Sequence, residues 1–220
     1  MTTPDKQPEV PNIEIINIRP RYIYQLEKLQ RLCFPTLGDG ELIRAAHYLN
    51  HYEIFPEGNF IALHDDRPVG AGSGFLIDFD FAHPDHNFNE MLDGGWFSHH
   101  DPNGDWYYGA DISIHPDYRA YGLGRRLYDA RKSAVRMLNK RGIIAGGLLP
   151  GYVRYRGILT VHEYTEQVVA GKIWDATLSF QIKNGFQVRG MLEDYIEDYS
   201  SDNWAALIVW ENPDYQPSLP

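Results

Sequence analysis

Trp106-Tyr107-Tyr108-Gly109-Ala110-Asp111-Ile112-Ser113-Ile114-His115-Pro116-Asp117-Tyr118-Arg119-Ala120-Tyr121-Gly122-Leu123-Gly124-Arg125-Arg126-Leu127 reads as an apolar strand, a tight turn and the opening of a helix. The helix carries Leu123, Leu127, Ala130, Ala134, Met137 and Leu138 on one stripe, with Gly142 as its expected stop. Gly122 and Gly124 lack side chains, so a ligand can approach the backbone of the turn. A helix start presents unpaired N–H groups and the positive end of a dipole, which favours an anion without any special side chain. Arg119, Arg125 and Arg126 add formal positive charge around the same turn. Strand, glycine turn, arginines and helix together suit a pyrophosphate.

Working outward, Ile13 to Ile18 alternates loosely and is a first strand. Arg19-Pro20 opens a helix with Ile23, Leu26, Leu29 or Gln30, and Cys33 at helical spacing, stopped by Phe34-Pro35. Glu41 to Tyr52 reads as a second helix with Leu42, Ala45, Ala46 and Leu49 on one face. Asn59 to Leu63 and Val69 to Phe79 flank the turn residues Asp65-Asp66-Arg67-Pro68 and predict a hairpin. Asp80 to Asp105 shows no period, and a connection of that length inside a compact domain is functional or mobile. Ile143 to Leu149 is a buried strand. Pro150 to Trp174 is a second insertion, with a short helix around Glu163 to Ala170. Asp175 caps a helix from Ala176 to Asn184, and Phe186 to Met191 and Ala205 to Trp210 are two final antiparallel strands. The order predicts a mixed α/β sheet with helices on its faces.

The chain of 220 residues is long enough for one substantial core, and no repeat or low-complexity linker divides it. We expect a tail over 1–12, a single domain over 13–212 and a C-terminal tail over 213–220. No apolar run approaches the roughly 20 residues of a membrane span, and no apolar leader opens the sequence, so a cytoplasmic protein that binds no membrane is expected. Cys33 is the only cysteine, which excludes an intrachain disulfide and a cysteine metal cluster. A formal net charge of −10 argues against nucleic-acid binding, which needs a basic surface, and favours a neutral or cationic substrate. His83, His86, His99 and His100 with Asp80, Asp85 and Asp101 have the composition of a metal cluster but no ordered ligand spacing, so a solvated loop with no metal is expected. Gly38-Asp39-Gly40 is a loop, since no strand precedes it and no nucleotide-loop pattern is met.

With Arg119, Gly122 and Gly124 set between strand and helix, and Asn184-Gly185-Phe186 after a short helix, the chain resembles the GCN5-related N-acetyltransferases (GNAT) from about Ile13 to Trp210. Phe55-Pro56-Glu57-Gly58, Tyr108-Gly109-Ala110-Asp111-Ile112 and Leu178 to Phe186 look like the GNAT domains fused to carbon–nitrogen hydrolases, with no fused hydrolase expected here. The resemblance implies a mostly antiparallel central sheet with helices on both faces and a splay between the two central strands. It implies acetyl-coenzyme A as donor. The pantetheine arm would pair with the backbone of Ile112, Ser113 and Ile114, and the pyrophosphate would lie on the N–H groups of Ala120, Tyr121, Gly122, Leu123, Gly124 and Arg125. An amine acceptor, small molecule or peptide, would attack the thioester directly, with a homodimer left open. The rival reading is a coenzyme A-binding docking module beside a separate hydrolase.

Two positions depart from the family. Ala120 stands where many members have Gly. Gln181 stands where the family often carries a Tyr that protonates the leaving thiolate. Gln can only hydrogen-bond, so either a neighbouring Tyr or water serves, or the thiol, with a pKa of ~8.5, leaves unaided. Asp111 is the acid nearest the donor strand. It acts as base on the acceptor ammonium, directly or through water, or else serves as a structural carboxylate. His115, before Pro116, is a turn residue or a base. Trp96, Tyr152 and Tyr155, in the two insertions, are the expected acceptor-binding aromatics, with core packing as the alternative.

Overall fold

The computed structural model describes residues 11–217 except 36, 38 and 39. The tail over residues 1–10, the last three residues and Gly38-Asp39 of the predicted loop lie outside the described residues. Seven strands form one sheet: β1 (Ile13–Asn17), β2 (Phe60–His64), β3 (Arg67–Ile77), β4 (Trp106–Ile114), β5 (Gly142–Leu148), β6 (Gln187–Leu192) and β7 (Ala205–Glu211). Their order is β1-β2-β3-β4-β5-β7-β6, and every neighbouring pair is antiparallel except β4–β5. Parallel neighbours need a crossover, and a helix supplies it.

Alternation along the strands feeds two faces. On one face, α1 (Ile23–Cys33) buries Ile23, Leu26 and Leu29 against Ile61, Leu63 and Ala71. Helix α2 (Ala45–Ile54) packs beside it, and α3 (Phe88–Leu92) closes over Tyr108 and Ile144. On the other face, the crossover helix α4 (Leu123–Met137) buries Leu123 against Ala62 and Val69, and Tyr128 and Val135 in the cluster of Tyr107 and Ile143. Helices α5 (Val161–Val169) and α6 (Leu178–Lys183) join that cluster.

Three expected boundaries change, each for a physical reason. Helix α2 begins at Ala45 rather than Glu41, where Glu27 of α1 accepts the Ala45 N–H at 3.1 Å. Its buried face is His47, Tyr48 and His51, while Leu49 is exposed. Helix α4 ends at Met137, and the chain turns through Asn139 at φ 50. Met137 is 72% exposed, so it does not belong to the apolar stripe. Gly142 opens β5 instead of stopping the helix; a Cβ there would come within 2.1 Å of the Trp210 carbonyl oxygen. The C-terminal segment is tied down as far as it is described: Asn139 and Gln216 exchange hydrogen bonds at 2.8 and 3.0 Å, and Arg136 pairs with Asp214 at 3.0 Å.

The first insertion is held to the body of the protein. The His51 ring stacks on Phe97 at 3.7 Å, and His51 Nε2 bonds the Gly95 carbonyl at 2.7 Å. Burial pushes the His51 imidazole down to about 3. An unfolded histidine titrates near 6.5, so below that pH only the unfolded chain takes up this proton. The stability due to neutral His51 is present above about pH 6.5 and drains away as pH falls toward 3, at up to about 1.4 kcal/mol per pH unit. Urea unfolding at pH 7, 6 and 5 should show this slope, and His51→Gln should flatten it.

Candidate active site

Strands β4 and β5 pair at only three positions, Trp106 with Gly142, Tyr107 with Ile143 and Tyr108 with Ile144. Beyond these, β4 stays with β3 as far as Ile114 and β5 stays with β7 as far as Leu148. A bulge helps turn β4 away: Ser73 pairs with Asp111 and Gly74 with Gly109, leaving Ala110 without a partner on β3. Arg131, buried on α4, donates from Nη2 to the Ser73 carbonyl at 2.6 Å and to the Asp111 carbonyl. The guanidinium thus satisfies backbone acceptors at the bulge. Past it, the His115 N–H donates to the Val69 carbonyl at 2.9 Å. Amide directions alternate along an antiparallel strand, so Ile114 and Ile112 turn their amides toward the side β5 has left.

A cleft of about 520 Å³ fills the parting. One wall is Gly122, Gly124, Tyr128 and Arg131 with Thr177, Phe180 and Gln181 of the α6 region; the other is Gln30, Cys33, Phe34, Phe88, Tyr195 and Ile196. Gly109 through Ile112, Ile114 and Arg119 also line it. Gly122 closes the turn at φ 70, a conformation that costs other L-residues roughly 1–2 kcal/mol, and a Cβ there would meet nothing within 4 Å. No side chain caps α4. A cap contributes ~1 kcal/mol, whereas each large side chain on the buried face, Leu123, Leu127 and Val135 among them, contributes ~1.5–3 kcal/mol. Packing therefore holds the helix while its first N–H groups stay free of side-chain caps. Arg119 and Arg125 are exposed beside them. Arg126 is turned away and donates to the Ile13 carbonyl at 2.5 Å. Tyr121 is partly exposed, Leu123 offers only its backbone because its side chain is core, and Ala120 lies in the short turn of helix from Pro116 to Tyr121.

Asp111 lines the cleft, and both its oxygens are engaged, one by Ser73 Oγ and the other by Ser113 Oγ at 2.8 Å. Ser113 Oγ also lies 2.7 Å from Gln30 Oε1, so its side chain faces α1, and its backbone groups turn to β3 between the two residues that face the cleft. Burial pushes the Asp111 carboxyl up, against the pull of Ser73, Arg131 and Ser113. Gln181 lies against the Tyr128 hydroxyl, and its Oε1 is buried with no hydrogen-bond partner. Burial raises Tyr128 above an ordinary phenol, so it stays protonated at neutral pH. Cys33 is pushed by burial up to about 11 and stays a thiol, a poor nucleophile. His115 accepts the Asp117 N–H at 3.3 Å, as a turn residue does.

The three aromatics expected to bind the acceptor lie elsewhere. Tyr152 and Tyr155 pack on Tyr164 in the core under α5, at ring separations of 5.4 and 5.2 Å. Trp96 stands edge-on to His47 at 4.6 Å and lines a separate shallow depression with Asn50 and Ile54. Aromatic content in an insertion does not tell core from pocket. The four loop histidines also diverge, to Asp80, Tyr108, the Glu90 carbonyl and the Leu76 N–H. His86 and His100 are buried enough that desolvation lowers their pKa values, so the loop is not simply solvated. Among the described residues no three His, Cys, Asp or Glu converge as metal ligands. Tyr128 and Arg131 escaped the sequence reading although they follow Gly124 at helical spacing on the same face. Tyr195 and Ile196 carried no signal, because the loop that holds them has no period.

The cleft thus offers strand amides, an orphaned Gln181 oxygen and an uncapped helix start, which suit an extended amide-bearing ligand ending in an anion. Comparison with known proteins agrees. The profile of the Acetyltransferase (GNAT) family matches residues 23–143. The chain belongs to that family of acyltransferases. It is 39% identical over 204 residues to "Probable hydrolase YhcX" of Bacillus subtilis (strain 168), covering 92% of this chain but 39% of that protein. The chain therefore spans well under half of that relative. It is 31% identical over 195 residues to "Uncharacterized N-acetyltransferase YkwB" of the same organism, covering 88% of this chain and 86% of the relative. Two solved structures share the fold. The GphF GNAT-like decarboxylase in complex with isobutyryl-CoA has TM-score 0.76 and 22% identity over 90% of this chain and 99% of its own. The loading GNATL domain of CurA from Lyngbya majuscula has TM-score 0.77 and 18% identity over 91% and 98%. No helix among the described residues is long and apolar enough to cross a membrane.

The turn should carry anion affinity. Asn tolerates the left-handed conformation of Gly122 better than most residues, so Gly122→Asn and Gly122→Asp differ chiefly in charge. Calorimetry with coenzyme A should show a ~10–100-fold weaker Kd for the Asp variant than for the Asn variant, about 1.4–2.8 kcal/mol. Equal affinities would remove the anion from this site.

Proposed function

We propose that this chain transfers the acetyl group of acetyl-coenzyme A to an amine acceptor by direct attack in a ternary complex. The observation that carries the reading is the parting of β4 from β5 next to an uncapped helix start. Ile112, Ser113 and Ile114 would pair with the pantetheine arm as an added strand does. The backbone from Ala120 to Arg125, with Arg119, would hold the pyrophosphate. A strand N–H would polarise the thioester oxygen as charge develops there. Orientation of two bound reactants supplies the larger share of the rate. The protonated Cys33, with no histidine among the described residues that line the cleft, favours direct transfer over a covalent enzyme intermediate. The domain over 13–212 and a cytoplasmic location belong to the same proposal.

Acceptor and donor take opposite halves of the cleft. Asp111, with Glu41 at the α1 side, supplies negative charge that draws a cationic amine, while Phe34, Phe88 and Ile196 supply apolar contact. Gln181 serves as a hydrogen-bonding residue beside Tyr128, whose protonated hydroxyl would give a proton to a departing thiolate. A second reading has a specific observation behind it: the 39% identity to a protein named as a hydrolase and more than twice as long. On that reading the domain binds coenzyme A and docks beside a carbon–nitrogen hydrolase with little transfer of its own.

Screening an amine library for thiol release from acetyl-coenzyme A separates the two. Transfer predicts release that depends on particular amines, cationic ones first; docking predicts a slow release indifferent to the amine. With a responsive amine in hand, Gln181→Ala should lower kcat by less than ~10-fold, the worth of about one hydrogen bond. Tyr128→Phe should lower it further, toward the ~10²-fold of a lost general acid. Steady-state kinetics showing the reverse order would return the acid role to position 181.

A further inference from the structure

Three polar side chains stand in line behind the acceptor half of the cleft. The Tyr195 ring covers Gly146 of β5, whose N–H bonds the phenol oxygen, and it lines the cleft. Tyr195 Oη lies 3.0 Å from Tyr108 Oη, Tyr108 Oη lies 2.8 Å from His86 Nε2, and His86 Nδ1 lies 2.6 Å from the Pro84 carbonyl oxygen. A carbonyl can only accept, so Nδ1 carries the ring proton and Nε2 of the neutral imidazole accepts. Tyr108 must then donate to His86, and Tyr195 to Tyr108. The chain has one direction, from the cleft through the fully buried Tyr108 to the half-exposed His86.

We propose that Tyr195, Tyr108 and His86 form a proton relay that deprotonates the acceptor ammonium, a role that rests on the transferase reading above. Asp111 sits between the Ser73 and Ser113 hydroxyls on the sheet floor, whereas Tyr195 lines the cleft and continues through Tyr108 to His86. The ammonium gives one proton to Tyr195 Oη. Tyr195 passes its own to Tyr108, Tyr108 passes its own to His86 Nε2, and the imidazolium releases that Nε2 proton to water, which restores the Nδ1–H tautomer. The neutral amine then attacks the carbonyl carbon. A C–N bond forms, the C–S bond breaks with its electron pair on sulfur, and the second nitrogen proton goes to the thiolate. Ammonium and thioester become amide, thiol and one proton in solution. The groups facing His86 are Asp85, Glu90, Tyr108 and Tyr195; burial outweighs the two carboxylates and holds the ring below its ordinary value. Burial pushes Tyr195 up to about 12, and Tyr108 is raised as well, so both stay phenols able to pass a proton. The relay is open while His86 is neutral and closes as pH falls through a value under 6.5.

Two measurements test it on the whole chain. Nitrogen-15 NMR of the wild type should show His86 as the Nδ1–H tautomer; an Nε2–H tautomer overturns the relay. Steady-state pH profiles with acetyl-coenzyme A and a responsive amine should show an acid limb in the wild type. His86→Gln accepts a hydrogen bond but stores no proton. It should lower kcat ~10²-fold, within the range of a lost general base, erase that limb, and leave the acetyl-coenzyme A KM unchanged. Tyr108→Phe should do the same, and the double variant should be no worse than either. A surviving limb in His86→Gln, or multiplying losses, overturns the relay. If Tyr108→Phe fails to fold by circular dichroism, the His86 variant and the tautomer still decide. The expected tautomer in a wild type without amine-dependent thiol release overturns the transferase reading while the hydrogen-bond chain stands.

Discussion

A strand edge that has lost its neighbour must satisfy its amides in another way, because a buried unpaired N–H or carbonyl costs ~1–3 kcal/mol. Strands β4 and β5 both face this problem beyond Tyr108 and Ile144. The protein answers it piecemeal. Tyr195 sits on the Gly146 N–H, and Gln181 lies over Gly147, where a Cβ would approach within 2.4 Å of its oxygen, while Arg131 takes the two carbonyls of the neighbouring β3–β4 bulge. Ile112 and Ile114 keep amides turned to the cleft. The shape of the site follows: its floor is sheet backbone, and its stoppers are single side chains from α4, α6 and the β6–β7 connection.

The electrostatics are graded along the same line. The chain as a whole is acidic, at −10, yet Arg119 and Arg125 flank the helix start at one end. Asp111 and Glu41 line the cleft as well. The two signs are close together, since Arg119 and Asp111 both act on the Cys33 thiol. On the proposed reading, an anionic donor meets Arg119 and Arg125 locally although the chain as a whole is acidic.

The fold was legible in the sequence where period and punctuation agree. Ile23, Leu26 and Leu29 define α1, Asp65-Asp66 turns a hairpin, and the Gly122–Gly124 turn sits where strand meets helix. Asp175 was recognisable as a cap and accepts the Thr177 and Leu178 N–H groups at 2.9 Å. What failed depended on tertiary partners. The start of α2 is set by Glu27 from another helix, and the end of α4 falls where Asn139 turns left-handed, three residues before the glycine that looked like its stop. Half of the site was legible, the half made by backbone and by one helix turn. The other half comes from Gln30, Phe88 and Tyr195, which are far apart in sequence and meet only across the sheet. Trp96, Tyr152 and Tyr155 show the converse, since three rings of the right chemistry are used for packing.

The single parallel pair in this sheet has a consequence for the order of assembly. Strands β2, β3 and β4 are joined through antiparallel pairings, and β4 reaches β5 through one crossover helix. By contrast, β5 is joined on its other side to β7, with α5, α6 and β6 intervening along the chain. Loop-closure entropy and slow non-local pairing place the β5–β7 contact late in folding. Tyr195 and Gln181 both lie on the segment that this closure brings in. A nascent or partly unfolded chain would therefore hold a nearly complete N-terminal sheet without a cleft. The ability to engage a ligand would arrive in a single step with the last strand pairing.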